Sequence, residues 1–244
     1  MKQSANEKNK LRLQVFLSHH GVCSRRKAMD LIKDGKVSLN GEIILEPSTP
    51  VDPQRDEVCF EGRRVCAEKY EYVLLYKPLG YTTTLEDPFA EKIVSDLLPE
   101  NLKNVKPVGR LDKNTEGLLL LTNDGQIAYK MTHPSFHVDK IYFARIKGVL
   151  KEQDKGQLEK GVVFDGQKTA PCKIFDVRRE KEETTLRIVL REGRKRQVRR
   201  MFDVLGYEVI FLKREQQGPL KLGELKPGEI RRLTEQEIQI LQKL

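Results

Sequence analysis

The stretch GRLDKNTEGLLLLTNDG, residues 109–125, sets a polar loop directly before the longest unbroken aliphatic run of the chain. Residues 117–121 are apolar throughout, which predicts a strand buried on both faces. Asp124 follows this run, and an aspartate in front of a helical pattern is a good N-cap. The stretch therefore predicts a loop, a central strand and then a short helix through Lys130.

Short strand patterns lie on both sides of this central strand. Strands are predicted at residues 73–76, 141–146, 173–177, 184–190 and 208–212, and helices at 197–205 and 235–244. Most of these strands follow one another with short connections, which favours antiparallel pairing. The larger part of the chain is predicted to be an α+β domain with a mixed, mostly antiparallel sheet and flanking helices.

A separate small module is predicted before this domain. Residues 11–20 have helical periodicity, and Ser24 is a good N-cap for a second helix that ends at Gly35. Asn40-Gly41 lies between two alternating segments, which is a strong hairpin signal, and a further strand is predicted at 57–60. The predicted organisation is a polar tail at 1–10, a helix-turn-helix-hairpin module at 11–67 and the larger domain at 68–244, with a charged connector at 63–71.

Composition excludes several classes of protein. No apolar run approaches the ~20 residues of a membrane span, and the polar start of the chain lacks the features of a secretory signal. The four cysteines and four histidines form no metal-ligand spacing, so no metal site is expected. A chain of this kind is expected to be cytoplasmic, with no membrane partner.

The excess of basic residues is concentrated in the segment 191–200, which carries six cations and one acid. Such a run is either a solvated helix face or a surface for a polyanion. Arg25, Arg26 and Lys27 are also unusual, because they occupy the first turn of a helix, where the macrodipole is already positive. A bound anion would relieve both arrangements. The pattern favours a nucleic acid as partner.

Asp112 is the candidate catalytic residue. The chain contains no phosphate-binding loop, no GxGxxG, no GxSxG and no HExxH. Asp112 lies between Arg110 and Lys113, and cations beside a carboxylate keep it ionised at neutral pH. This suits a nucleophile or an electrostatic stabiliser, whereas the alternative is a turn or capping carboxylate.

The motifs together resemble those of ribosomal RNA pseudouridine synthases of the RsuA family. GRLDKNTEGLLLLTNDG is similar to the catalytic signature, and YVLLYKPLGYTTT, EGRKRQVRRMFDVLG and LKREQQGPLKLGELKPGEIRRLTEQE occur in the family's order. RLQVFLSHHGVCSRRKAMDLIKDGKVSLNGEII resembles an S4-type RNA-binding domain. The resemblance spans residues 11–234.

This resemblance implies that a uridine of ribosomal RNA is isomerised in place, after the base has left its stack, without metal or cofactor. Asp112 matches the obligatory aspartate, which attacks the ribose or the base or assists ribose deprotonation. Tyr142 matches the tyrosine that stacks on the uracil, and alternation places it opposite Ile141 and Phe143, away from whichever face they bury. Arg214 matches a basic residue expected to pair with Asp112. The implied RNA-binding residues are Ser24, Arg25, Arg26, Lys27, Lys77, Arg110, Arg194, Gln197 and Arg199.

The substrate is expected to be ribosomal RNA, free or in an assembling subunit, and the N-terminal module and the RQVRRM form favour large-subunit over small-subunit RNA. A monomer is expected. Glu215-Gln216-Gln217, Tyr76 and Lys195 depart from the family's usual residues, and the first departure bears on the setting of Arg214. The alternatives are a catalytically inert ribosomal RNA-binding or assembly protein on the same fold, an RNA methyltransferase with the same module and a tRNA synthetase with an appended module.

Overall fold

The structure is a computed structural model that describes residues 10–66 and 69–244. The chain divides into two compact units, Met1–Tyr70 and Glu71–Leu244. The predicted polar tail, except for Lys10, and the predicted boundary between residues 67 and 68 lie outside the described residues. None of the helices in the described part of the chain is long and apolar enough to cross a lipid bilayer.

The first unit is a pair of helices packed on short strands. Its elements are β1 (Leu11–Arg12), α1 (Leu13–His19), α2 (Arg25–Lys33), β2 (Val37–Leu39), β3 (Glu42–Ile43), β4 (Pro50–Val51), β5 (Val58–Phe60) and β6 (Arg63–Arg64). Ser24 Oγ accepts a hydrogen bond from the Lys27 N–H at 3.3 Å, which confirms the predicted cap. Asn40 and Gly41 both have positive φ, as a tight hairpin turn requires.

Two local predictions for this unit are wrong. The first helix is predicted to begin at residue 11 but begins at Leu13, because Leu11 and Arg12 pair with Val51 and Pro50 as a strand. The predicted connector does not begin at residue 63, because Arg63 and Arg64 form β6, which pairs with β5. Both strands are two residues long, too short to leave a periodic signal in the sequence.

The second unit is built on one large sheet. Its strands are β7 (Tyr72–Lys77), β8 (Lys106–Pro107), β9 (Glu116–Thr122), β10 (Lys140–Lys147), β11 (Val163–Phe164), β12 (Gln167–Lys168), β13 (Lys173–Arg179), β14 (Glu183–Leu190), β15 (Val209–Gln217), β16 (Leu220–Lys221) and β17 (Ile230–Arg232). Its α-helices are α3 (Gly125–Thr132), α4 (Glu152–Lys160), α5 (Gln197–Asp203) and α6 (Glu235–Gln242). Single 3-10 turns occupy Val94–Leu97, Glu100–Leu102 and Pro134–Phe136.

The strands of the sheet run in the order β13-β14-β10-β15-β9-β7-β17, with β16 beside β15 and β8 beside β9. Among the described residues every pairing in this sheet is antiparallel except that of β15 with β9, and β11 with β12 form a separate hairpin. The predicted α+β class with a mostly antiparallel sheet is therefore confirmed.

The predicted central strand, β9, is buried on both faces. Leu118 and Leu120 pack on one side with Met131 of α3, and Leu119 and Leu121 pack on the other with Leu111. The Asp124 carboxylate accepts hydrogen bonds from the first backbone N–H groups of α3, so the predicted helix follows the strand as expected. This strand and helix fix the end of the loop that carries Asp112.

The parallel contact between β9 and β15 joins two parts of the sheet that are about one hundred residues apart in sequence. Gly117 pairs with Arg214 and has a φ of +108°. A Cβ atom at Gly117 would lie 2.3 Å from the Arg214 carbonyl oxygen and 2.7 Å from its amide nitrogen. Glycine is therefore required for this close approach of the two backbones.

Candidate active site

Asp112 lies in a loop that is hydrogen-bonded to the segment following β7. The Thr83 hydroxyl donates a hydrogen bond to the Leu111 carbonyl at 2.7 Å and accepts one from the Leu111 N–H at 3.2 Å. The Gly80 N–H donates to the Lys113 carbonyl at 2.8 Å. These bonds fix the backbone on both sides of Asp112 and leave its half-buried side chain facing a cavity.

The cavity has a volume of about 560 Å³, within the usual range for a small-ligand site. Asp112, Tyr142, Leu190 and Leu212 line it, together with the segment from residue 192 to residue 198 and the neighbours of Asp112 in its loop. The structure thus brings the predicted catalytic aspartate and the predicted stacking tyrosine to one site. It also brings the basic segment to the same site.

Tyr142 lies on the buried face of β10, not on the face predicted to point away from the core. Alternation along the strand is as expected, but Ala144 and Ile146, on the side of Tyr142, are fully buried, whereas Ile141 and Phe143 are half-buried. The reason is that the side chains of α5 cover the face that carries Ala144 and Ile146. Tyr142 lies on the same face, at the point where that face lines the cavity.

Arg199 is a buried cation beside the Asp112 loop. It is 7% exposed and donates to the Asn114 carbonyl at 2.6 Å and to the Val209 carbonyl at 2.5 Å. Burial and the neighbouring Arg196 lower the pKa of Arg199, whereas the negative charge of Asp112 acts to raise it. Arg199 therefore joins the Asp112 loop to β15 and places positive charge near the carboxylate.

Lys77 is a second buried cation in the same place. Its ammonium donates hydrogen bonds of 2.9 Å to the carbonyls of Pro78 and Thr115. Burial lowers the pKa of Lys77 to about 8, against the opposing effect of Asp112 and Glu116. Because Lys77 is fully buried, the prediction that it contacts RNA is wrong, and its place is under the Asp112 loop.

Arg214 does not form the predicted pair with Asp112. No ion pair joins these two residues within the described part of the chain, and the Arg214 Nε donates instead to the Leu118 carbonyl at 2.8 Å. The ladder between β15 and β9 ends at the register pair of Arg214 with Gly117. The Arg214 side chain therefore donates to the Leu118 carbonyl, which would accept from a backbone N–H if the ladder continued. Glu215, the departure noted in the sequence, pairs with Arg187 at 2.8 Å.

The basic segment 191–200 is divided between interior and surface. Gln197 is 4% exposed, its amide donates to the Glu192 carboxylate, and its oxygen accepts from the Arg194 N–H at 2.9 Å. Arg194 donates to the Phe164 carbonyl at 2.9 Å and stacks on the Phe164 ring at 3.9 Å. Arg199 is buried and does not line the cavity, so the prediction that it faces RNA is wrong, whereas Gln197 lines the cavity and its contact with RNA stays a prediction. The guanidinium of Arg194 is already engaged by the β11–β12 hairpin.

Sequence reasoning missed two cations of this segment. Lys195 and Arg196 are exposed and line the cavity, and the Arg196 guanidinium donates to the Asn114 side chain at 3.3 Å. Arg196 is the N-cap of α5, so the inward face of that helix begins after it. The start of this helix could have distinguished the exposed cations Lys195 and Arg196 from the buried Arg199.

The other predicted RNA-binding residues are exposed. Arg110 lines the cavity. Arg25, Arg26 and Lys27 lie at the exposed start of α2, behind the Ser24 cap, and form no ion pair with any residue that the structure describes. Within residues 10–66 and 69–244, no three histidine, cysteine, aspartate or glutamate side chains lie close enough to hold a metal ion.

Comparisons with known proteins agree with this division of the chain. The family model described as RNA pseudouridylate synthase matches residues 71–203, and the S4 domain model matches residues 11–58. The chain is 42% identical to ribosomal large subunit pseudouridine synthase B of Bacillus subtilis (strain 168), covering 96% of each chain. It is 39% identical to an uncharacterized RNA pseudouridine synthase of Aquifex aeolicus (strain VF5), covering 93% of this chain and 92% of that one. A solved structure named pseudouridylate synthase is 31% identical, with a TM-score of 0.69, and covers 95% of this chain and 99% of its own.

Proposed function

The chain belongs to the RNA pseudouridylate synthase family and is an RNA-modifying isomerase with an S4 domain; from that premise we propose that it converts a specific uridine of large-subunit ribosomal RNA to pseudouridine, with Asp112 as the nucleophile. One observation carries the assignment of the site. Asp112 and Tyr142 line one cavity, and two buried cations lie behind the carboxylate.

The reaction needs the target uridine outside its helix, because neither face of a stacked base is open to an enzyme. The cavity accepts the extruded nucleotide, and the Tyr142 ring provides a flat surface on which the uracil stacks. Asp112 then attacks the ribose or the base, or assists removal of a ribose proton. The N1–C1′ bond breaks, the base turns, and its C5 atom bonds to C1′. Any bond that Asp112 has formed breaks and returns its electron pair to the carboxylate, the proton on C5 is lost, and N1 gains a proton.

Arg199 and Lys77 place positive charge near the attacking carboxylate and hold its loop in place. Their positive charges lie in a region of low dielectric, where an interaction with an anion is stronger than in water. Both also hold the loop by its backbone, through Asn114 and Thr115 respectively. We assign to Arg199 and Lys77 the role that the sequence assigned to Arg214.

RNA recognition is shared between the two units in this proposal. Arg110, Lys195 and Arg196 present exposed positive charge at the cavity, suited to the phosphates on either side of the target nucleotide. Arg25, Arg26 and Lys27 present a second exposed cluster at the start of α2, where backbone N–H groups add to the attraction for an anion. The first set positions the reacting nucleotide and the second adds affinity.

The choice of large-subunit RNA rests on the name of the Bacillus subtilis relative and on the RQVRRM form of the basic segment. The test is release of tritium from transcripts of each ribosomal RNA that carry 5-tritiated uridine, since formation of pseudouridine frees the hydrogen on C5. We expect release from the large-subunit transcript by the wild-type protein and none by Asp112→Asn.

Glu224→Gln is the matched control, because it makes the same carboxylate-to-amide change at an exposed position and should leave release unchanged. Tight binding of the wild-type protein to both transcripts without release from either would favour the inert RNA-binding alternative. Release from the small-subunit transcript alone would overturn the choice of substrate but keep the reaction.

A further inference from the structure

Glu192 brings a second carboxylate to the cavity that contains Asp112. Of the described residues that line this cavity, Asp112 and Glu192 are the two acids. The proposed reaction uses Asp112 and gives Glu192 no role. Glu192 is half-buried, and its two oxygens have different surroundings, which indicate what it does.

One oxygen of Glu192 is held by two donors. Its Oε1 atom accepts hydrogen bonds from the Ala170 N–H at 3.0 Å and from the Gln197 side-chain amide. The Gln197 oxygen accepts from the Arg194 N–H at 2.9 Å, which fixes the Gln197 amide with its NH₂ group towards Glu192. Gln197 is 4% exposed, so water competes little for these bonds. The Glu192 carboxylate is therefore held in one orientation before a substrate arrives.

The other oxygen of Glu192, Oε2, is free to accept a hydrogen bond. No donor among the described residues contacts it, yet it is not sealed in the interior. It keeps contact with solvent, and the cavity is the space that Glu192 lines. A carboxylate oxygen accepts hydrogen bonds and donates none. Glu192 Oε2 therefore presents a fixed, charged acceptor to the base that occupies the cavity.

An extruded uracil carries a matching donor. Outside its helix the base has lost its pairing partner, and an enzyme can bind its pairing edge, on which N3–H lies between O2 and O4. The arginines and the lysine of the cavity wall can donate to O2 and O4 but cannot accept from N3–H. Asp112 is assigned to the attack, and the Gln197 oxygen already accepts from a backbone N–H. Among the described residues of the wall, Glu192 is the charged acceptor that remains for N3–H.

We propose that Glu192 selects uracil over cytosine at the target position by accepting a hydrogen bond from N3–H at its Oε2 atom. This inference rests on the proposed function, because it requires the target base to stack on Tyr142 in the same cavity. Cytosine has a lone pair at N3 where uracil has a proton. A fixed carboxylate oxygen would repel that lone pair, and cytosine would also lose the charge-assisted hydrogen bond. A site built to bond a substrate N–H strongly rejects an analogue that lacks it.

Glu192→Gln replaces the acceptor by a donor without loosening the side chain. The glutamine oxygen should stay at the Oε1 position, because the Ala170 N–H and the Gln197 amide both point at it. The new NH₂ group then takes the Oε2 position. There it opposes the N3–H of uracil and matches the N3 lone pair of cytosine.

The test measures base preference and rate separately, after the target has been located in the product by carbodiimide mapping of pseudouridine. Affinities for transcripts with uridine or cytidine at the target are compared in an Asp112→Asn background, so that no uridine is consumed. We expect Glu192→Gln to lower the preference for uridine by about tenfold or more, and with Asp112 present to slow single turnover of uridine by about 10- to 100-fold. Glu224→Gln, at an exposed position, should change neither quantity.

A structural role for Glu192 predicts a different result. Because the bonds to Oε1 are kept, the Tm of Glu192→Gln should stay at the wild-type value. A lower Tm with an unchanged base preference would assign Glu192 to the fold alone and overturn the inference.

A second arm needs no variant. The wild-type protein should consume 3-methyluridine, which lacks the N3 proton, about 10- to 100-fold more slowly than uridine, and equal rates would overturn the inference. Isomerisation of uridine together with an unchanged preference in Glu192→Gln would defeat this inference alone. If the wild-type protein isomerised no uridine in ribosomal RNA, the proposed function would fail, and this inference with it.

Discussion

Gly117→Ala should destabilise the second unit by forcing β9 and β15 apart. The added Cβ would lie 2.3 Å from the Arg214 carbonyl oxygen and 2.7 Å from its nitrogen. Both are backbone atoms of a strand that is also paired with β10, so neither can move aside alone. Side-chain rotation gives no relief, because the clash is with the Cβ atom itself.

Two costs set the size of the effect. An alanine at positive φ costs about 1–2 kcal/mol, and overpacking of a tight interior contact costs about 1–3 kcal/mol. Together they give about 2–5 kcal/mol. For a unit of this size each kcal/mol lowers Tm by about 2–4 °C, so the transition of the second unit should fall by about 4–20 °C.

Thermal unfolding followed by circular dichroism measures this shift. Gly156→Ala is the matched control, because Gly156 lies inside α4 with nothing within 4 Å of its Cβ position, and there alanine should raise stability slightly. A Gly117→Ala protein that unfolds at the wild-type temperature would refute the claim that this backbone contact requires glycine.

Three further predictions concern other parts of the chain. Replacement of the cations at residues 25–27 by glutamine should flatten the slope of log affinity against log salt by about 0.7 for each phosphate that the protein no longer neutralises; a reduced single-turnover rate at saturating RNA with an unchanged slope would contradict this. The pKa of Lys77 is about 8 in the folded protein, against an ordinary value of 10.5. Between pH 8 and pH 10.5 the folded state therefore binds fewer protons than the unfolded state. The free energy of unfolding of the wild-type protein, compared with that of Lys77→Met, should rise with pH across this window. The rate should fall above pH 8 as the charge near Asp112 disappears, and identical pH profiles for the two proteins would be the contrary result. Thr234→Ala removes the hydroxyl that caps α6 and should cost about 1 kcal/mol, a fall of about 2–4 °C in Tm that differential scanning calorimetry would detect or exclude.

Local signals in the sequence predicted most of the architecture. Ser24 and Asp124 are helix caps, Asn40-Gly41 is the hairpin turn and residues 117–121 form the doubly buried strand. Each of these features depends on the chemistry of a few neighbouring residues. For that reason they can be read without knowledge of the fold.

The site could be predicted in part. Asp112 and Tyr142 do share a cavity, but alternation along β10 indicates that neighbouring side chains point to opposite faces without indicating which face is covered. The same limit applies to Arg199 and Lys77, which look like surface cations in a basic sequence. Their burial depends on contacts with Asn114 and Thr115 across the fold.

The place of Arg214 could not be predicted because it depends on the pairing of β15 with β9. Its Nε contacts a carbonyl ninety-six positions away in sequence. No local pattern specifies such a pairing. A resemblance to relatives transferred the presence of an important arginine but not the atom that it contacts.

The position of β15 between β10 and β9 has a consequence for synthesis of the chain on the ribosome. β15 is completed at residue 217, after β9 and β10 have been made, yet it supplies the partner for the Gly117 end of β9 and for one whole edge of β10. Until then, both nascent strands expose unpaired backbone and apolar side chains, a state prone to aggregation. The cavity beside Asp112 also cannot form before Leu212 has emerged. A growing chain therefore completes the candidate site only after β15 has been made, and a chaperone that holds β9 and β10 would be of most use in that interval.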